Sequence, residues 1–163
     1  MSVAVKKEYL VLVILKRSKI VFNIVEDFPK ISFNEKITNL NLIHLDSMEP
    51  MTTTSTLDDF PGSFGLGVDL DLFNIKANRK YQIQVYSQGE NQLQEQLIHV
   101  SNVYIPKDEF MMYEDGFGTT TGSFSFSFTP TEEGDYKISF RLFDVENKKV
   151  LDEFNQYLYL SKR

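Results

Sequence analysis

In a chain without cysteine, histidine and carboxylate would have to carry most acid–base or metal chemistry, and only two histidines occur, His44 and His99. Any catalytic triad or imidazole-held metal must use one or both of them. Each stands in a strand-like run, LIHLD and LIHV, which predicts half-buried or surface strand residues. There is no HExxH spacing, and without thiolates the chain has too few histidines in any cluster for a zinc site. Asp69 and Asp71 are two apart, so on a strand both carboxylates face the same way, the arrangement of a hard-cation pair or a glycosidase-like pair. Joined to one histidine they would make a hydrolase. Their alternation with Val68, Leu70 and Leu72 already accounts for them as the wet side of a strand. Asp58-Asp59 and Glu114-Asp115 could join that face only if their loops folded over it, and neither has EF-hand spacing. The glycines of Gly62-Ser-Phe-Gly65-Leu-Gly67 lack the Lys-Ser/Thr pair and the following helix of a phosphate loop; a strand after a Pro-Gly turn fits them better. No Gly-x-Ser-x-Gly elbow occurs. We therefore expect no enzyme, no catalytic residue, no metal and no cofactor.

Chemistry of contact is better represented. The stretch PKDEFMMYEDGFGTTTG, Pro106 to Gly122, is longer than ordinary loops, and long structured loops in small domains are commonly binding loops. It carries Phe110, Met111, Met112, Tyr113 and Phe117. Aromatic and methionine side chains offer large, adaptable apolar area at interfaces, and Asp108, Glu109, Glu114 and Asp115 would supply a charged rim. The alternative is that these side chains turn inward and plug one end of the fold.

The elements that must position these residues are strands. Phe124-Ser-Phe-Ser-Phe128, Leu66-Gly-Val-Asp-Leu-Asp-Leu72 and Tyr81-Gln-Ile-Gln-Val85 all alternate apolar with polar, the period of a strand wet on one face, and such faces belong to antiparallel sheets. Gln88-Gly89-Glu90-Asn91 links the Tyr81 strand to a run ending near Ile105. Glu146-Asn147-Lys148-Lys149 links the Tyr136 strand to the last one, with Asn147 suited to positive φ. Tyr9–Leu15 and Ile20–Val25 read as a first hairpin turned by Lys16-Arg17-Ser18-Lys19. Ser47 to Phe64 lacks periodicity and serves as a connection between two sheets or an irregular edge strand. The best helical stretch is short, Lys107–Tyr113.

In Glu132-Glu133-Gly134-Asp135-Tyr136, glycine permits a backbone conformation other residues resist, and the tyrosine can bury its ring while its hydroxyl reaches back to the backbone. This acid-x-Gly-x-Tyr pattern, followed by alternating Ile138, Phe140 and Leu142, resembles the tyrosine corner of immunoglobulin-like and fibronectin-type β-sandwiches. The resemblance implies a sandwich architecture. Antibody domains place a cysteine where Ile138 stands and bury a tryptophan, which this chain lacks.

Composition sets the remaining bounds. With 163 residues, 42% of them hydrophobic, 14 Phe and 8 Tyr, the chain has enough apolar volume for one core and is read as a single domain spanning 1–163. A net charge of −6 argues against nucleic acid, whose phosphates demand a positive field. Lys148-Lys149 and the Lys16–Lys19 cluster read as solvated turns. The apolar run at Tyr9–Leu15 is too short to cross a bilayer and is followed by Lys16-Arg17 rather than a cleavage site, so neither membrane nor export is expected and a cytoplasmic location is favoured. The abundance of Lys, Ile, Asn, Phe and Tyr suits a low-GC bacterium or its phage. The sequence thus predicts an all-β, antiparallel two-layer sandwich, immunoglobulin-like or jelly-roll-like. Its expected role is to bind a protein partner or itself through sheet edges and the 106–122 loop, with serine-rich strands such as that of Ser125 and Ser127 doing little to block pairing. The competing expectation is a carbohydrate- or calcium-dependent module stacking ligands on Tyr and Phe rings, with Asp69 and Asp71 as polar or metal contacts.

Overall fold

The computed structural model describes residues 33–163. The expected hairpin of Tyr9–Leu15, Lys16–Lys19 and Ile20–Val25 lies outside the described residues. The alternating segments form strands and pair with one another. β4 (Phe64–Lys76) runs antiparallel to β8 (Phe117–Phe128), so that Phe64, Leu66 and Val68 lie opposite Phe128, Phe126 and Phe124. On the other face of the same pair Asp69 meets Ser123 and Asp71 meets Thr121. One face is thus apolar and the other consists of carboxylates and hydroxyls, as the period of two requires.

β1 (Lys36–His44) lies on the far side of β4, and β2 (Glu49–Pro50) and β7 (Met112–Glu114) complete a first sheet ordered β2-β1-β4-β8-β7. A second sheet, ordered β3-β10-β9-β5-β6, contains β3 (Thr54–Leu57), β5 (Lys80–Gly89), β6 (Gln96–Tyr104), β9 (Gly134–Asp144) and β10 (Lys149–Lys162). Pairing is antiparallel except between β3 and β10, which run parallel from Thr54↔Tyr159 to Leu57↔Lys162. That exception arises in the irregular stretch Ser47 to Phe64, which proves to be both things expected of it. It edges the first sheet as β2, crosses, edges the second as β3, and returns to the first as β4.

The inner faces close on each other. Leu66, Ile75, Ile83, Val85, Ile138, Phe140, Leu142 and Leu160 are fully buried in one core that both sheets share. Phe126 of the first sheet meets Phe140 of the second edge-on at 6.4 Å, and Phe128 meets Tyr136 likewise at 5.5 Å. Each such side chain contributes about 1.5–3 kcal/mol on leaving water. The expected two-layer β-sandwich is therefore the observed one.

At the turn before β9, Gly134 has φ +135°, and an added Cβ would lie 2.6 Å from the Glu90 carboxylate, so both conformation and space demand glycine. Two residues on, Tyr136 is buried, its hydroxyl donates to the Glu132 carbonyl at 2.8 Å, and the Glu132 N–H lies 3.3 Å from the same oxygen. The β9–β10 turn differs from expectation: positive φ falls on Lys148 (+53°), not Asn147. Asn147 acts through its side chain instead, donating to Asp144 at 2.7 Å, while the backbone N–H groups of Glu146 and Asn147 also reach that carboxylate. Only Lys107–Glu109 of the expected helix is helical, as a single 3-10 turn. Phe110 leaves it in extended backbone, and its ring is drawn onto β8.

Candidate functional site

β6, with the sequence QLIHVSNVY, contains no charged residue and no proline. It pairs with β5 from Lys80↔Tyr104 to Ser87↔Gln96, and among the described residues nothing pairs with its other side. A bulge leaves Ile98 without a partner between Leu97 and His99. On the inner face the His99 ring stacks on Phe124 at 5.3 Å and on Phe126 at 5.8 Å, which fixes β6 across from β8.

Among the described residues β8 is equally open over most of its length. β7 covers only Phe117 to Thr119, so TTGSFSFSF, residues Thr120 to Phe128, forms a second edge without charge or proline. The two edges, one from each sheet, therefore occupy one flank of the sandwich, held together by the His99 stack. At the other flank the end strands β2 and β3 have two and four residues. Short edge strands blunt pairing, whereas long uncharged ones leave a row of unpaired N–H and C=O groups available to another chain.

The stretch expected to be a loop, Pro106 to Gly122, joins these edges but is largely structured. β7 and the start of β8 form a hairpin around Asp115 (φ +51°) and Gly116 (φ +88°), and Phe117 to Gly122 belong to β8. Asp-Gly is the characteristic pair for a two-residue hairpin turn and was the signal available in the sequence. The five contact residues divide. Phe110 packs inward over Gly118, where an added Cβ would come within 2.2 Å of its ring, and it contacts the Tyr113 ring at 5.8 Å. Phe117 is half-buried, with the Lys76 ammonium 5.6 Å from its ring centre. Tyr113 receives Lys107 at 4.8 Å. Met111 and Met112 point outward, Met112 being 73% exposed. Leu97, Val100 and Tyr104 of β6 add exposed apolar surface. The stretch thus turns Phe110 inward and leaves Met111 and Met112 exposed.

The middle of the second sheet's outer face is closed off by charge. Glu95, in the β5–β6 connection, lies 2.6 Å from Lys137 and 2.5 Å from Arg141, and Arg141 bonds Glu153 at 2.6 Å while covering the Tyr86 ring at 4.4 Å. The hydrogen bond from Lys137 holds the Glu95 carboxyl below its ordinary range, against the opposing effect of burial, and that from Arg141 does the same for Glu153.

The residues considered for catalysis are not brought together. His44 stacks on Phe64 at 5.6 Å, both His44 Nδ1 and His99 Nε2 are buried without a hydrogen-bond partner among the described residues, and no described carboxylate aligns either imidazole. Asp69 and Asp71 lie on the outer face of β4, with Asn39 donating to Asp71 at 3.4 Å. Asp58 and Asp59 turn instead to Arg163 and Lys162. Among the described residues no group of three or more metal-ligating side chains converges.

No protein-family model matches the chain, and no curated protein matches its sequence. Several solved structures are similar to it. A calcium-binding mutant of beta-glucuronidase 2 from Bacteroides uniformis shares 13% identity at a TM-score of 0.45, over 77% of this chain and 14% of that one. The CARDB domain of a Pyrococcus furiosus protein, in complex with di-metal ions, shares 15% identity at 0.44, over 80% of this chain and 93% of the domain. A bacterial adhesin from Mobiluncus mulieris shares 6% at 0.48, over 78% of this chain and 58% of that one. Among the described residues no helix is long and apolar enough to cross a membrane.

Proposed function

We propose that this sandwich is a non-catalytic contact module that takes an extended strand of a protein partner, or of a second copy of itself, onto the flank formed by β6 and β8. One observation carries the reading. Two uncharged, proline-free edges of nine residues each, Gln96–Tyr104 and Thr120 to Phe128, stand on the same side of the molecule. An added strand would complete the backbone hydrogen bonds of either edge, while the exposed Met111, Met112 and Tyr104 side chains would contribute apolar area beside it. The Tyr136–Glu132 closure supports describing the architecture as immunoglobulin-like, with the tyrosine corner of such folds.

The test is to block the edges with charge. Val100→Lys and Ser125→Lys place ammonium groups at exposed edge positions and should leave the fold intact. The native chain is expected to self-associate in sedimentation, or to retain partners in affinity capture, that the doubly blocked chain loses. Identical sedimentation and identical retained proteins for the two chains would remove the proposal.

A further inference from the structure

The second sheet has another feature, away from the open flank. Tyr157 and Tyr159 alternate with the buried Leu158 on β10, so both rings stand on the outer face, 64% and 46% exposed. Two residues along a strand separates them by roughly 6.8 Å. They line a cleft of 640 Å³ that runs from Thr53 and Thr54, across β10 and β9, to Glu90 after β5. Tyr159 faces Asp135 across the strand pair and Tyr157 faces Lys137. Neither tyrosine hydroxyl makes a hydrogen bond among the described residues.

The polar lining has a definite sign. Lys137 is held by Glu95 at 2.6 Å, which leaves Asp135 and Glu90 as the unneutralised charges. Glu90 is fixed in place: its side chain lies against Gly134 and its N–H donates to the Asp135 carbonyl at 2.9 Å. A ligand for this cleft must therefore offer flat apolar faces to two rings, donate several hydrogen bonds to carboxylates and threonine oxygens, and carry no negative charge. An extended peptide supplies the donors but not regularly spaced flat faces. A chain of pyranose rings supplies both, since the C–H face of each ring stacks on an aromatic side chain and its hydroxyls donate at the rim.

We infer that the Tyr157–Tyr159 cleft is a binding site for a neutral oligosaccharide, with the two rings as platform and Asp135 and Glu90 as acceptors. The site is independent of the β6–β8 flank. Cellohexaose, xylohexaose, maltohexaose and chitohexaose, titrated calorimetrically into the full chain, are the probes. At least one is expected to bind, with Tyr157→Ala and Tyr159→Ala each weakening it about tenfold, equivalent to about 1.4 kcal/mol. Tyr157→Phe and Tyr159→Phe should retain most of the affinity, and Asp135→Asn should weaken it several-fold in a chain whose thermal unfolding is unchanged. The edge-blocked Val100→Lys, Ser125→Lys chain should bind as the native one does, so that failure of the flank and failure of the cleft are read separately. No heat with any of the four sugars, unaltered binding by the double alanine variant, or tighter binding of oligogalacturonate than of its neutral counterparts would each overturn the assignment.

Discussion

At Tyr136 the hydroxyl spans the turn that starts β9, and its loss in Tyr136→Phe is expected to cost about 1 kcal/mol, measured by urea unfolding, with the ring still packed on Phe128. A larger effect belongs to Asp144, whose side chain is 1% exposed and bonded by Arg79 and by the turn residues Glu146 and Asn147. Burial alone would raise its carboxyl; the Asn147 and Glu146 hydrogen bonds and the Arg79 charge outweigh it and hold the group below its ordinary range. A carboxylate with a depressed folded pKa stabilises the fold above its unfolded value near ~3.9 and loses that contribution as the pH falls through the folded value. The stability difference between the native chain and Asp144→Asn should therefore shrink on acidification below about pH 4, followed by denaturant titration at each pH. At neutral pH, Asp144→Ala leaves Arg79 with the more distant Glu35 and Glu146 carboxylates at 3.7 Å but deprives the turn N–H groups of their acceptor, and should cost about 1–3 kcal/mol. The turn at Glu146 to Lys149 is legible in the sequence, but the sequence points to Asn147 rather than Asp144 as the residue that controls it. An Asp three residues before an Asn is a common surface pattern, and nothing local reveals that Arg79, which meets it from just before β5, is buried alongside.

Among the elements, the hairpin of β7 and β8 gives the sharpest test of which contact residues face inward. Gly118 leaves room for the Phe110 ring, so Gly118→Ala should expel it and destabilise by about 1–3 kcal/mol, whereas Met112→Ala should change the melting free energy by less than about 0.5 kcal/mol. Equal effects would place Met112 in the core after all. Strands were legible because alternation is a local property, and the two cleanest alternating runs overlap as cross-strand neighbours, Leu66 opposite Phe126 and Val68 opposite Phe124. The division between Phe110 and Met112 was not legible. Whether a ring points inward depends on a glycine eight residues later on another strand, and the pairing that brings them together is set by the Asp115-Gly116 turn. The tyrosine cleft was invisible for a related reason, since it combines residues of β10 and β9 with those flanking β3 and β5.

For the molecule as a whole, layer number and core were readable from composition and period, and strand order was not. Order depends on pairings between distant segments, such as β1 against β4 and β3 against β10. The consequence of the β3–β10 pairing is temporal. β10 lies between β3 and β9, so until it has left the ribosome β3 has no neighbour among the described strands and β9 has one side bare. Chains truncated before Lys149 should therefore remain open to proteases at β3 and along one edge of β9, and the second layer closes only after β10 has emerged to join them.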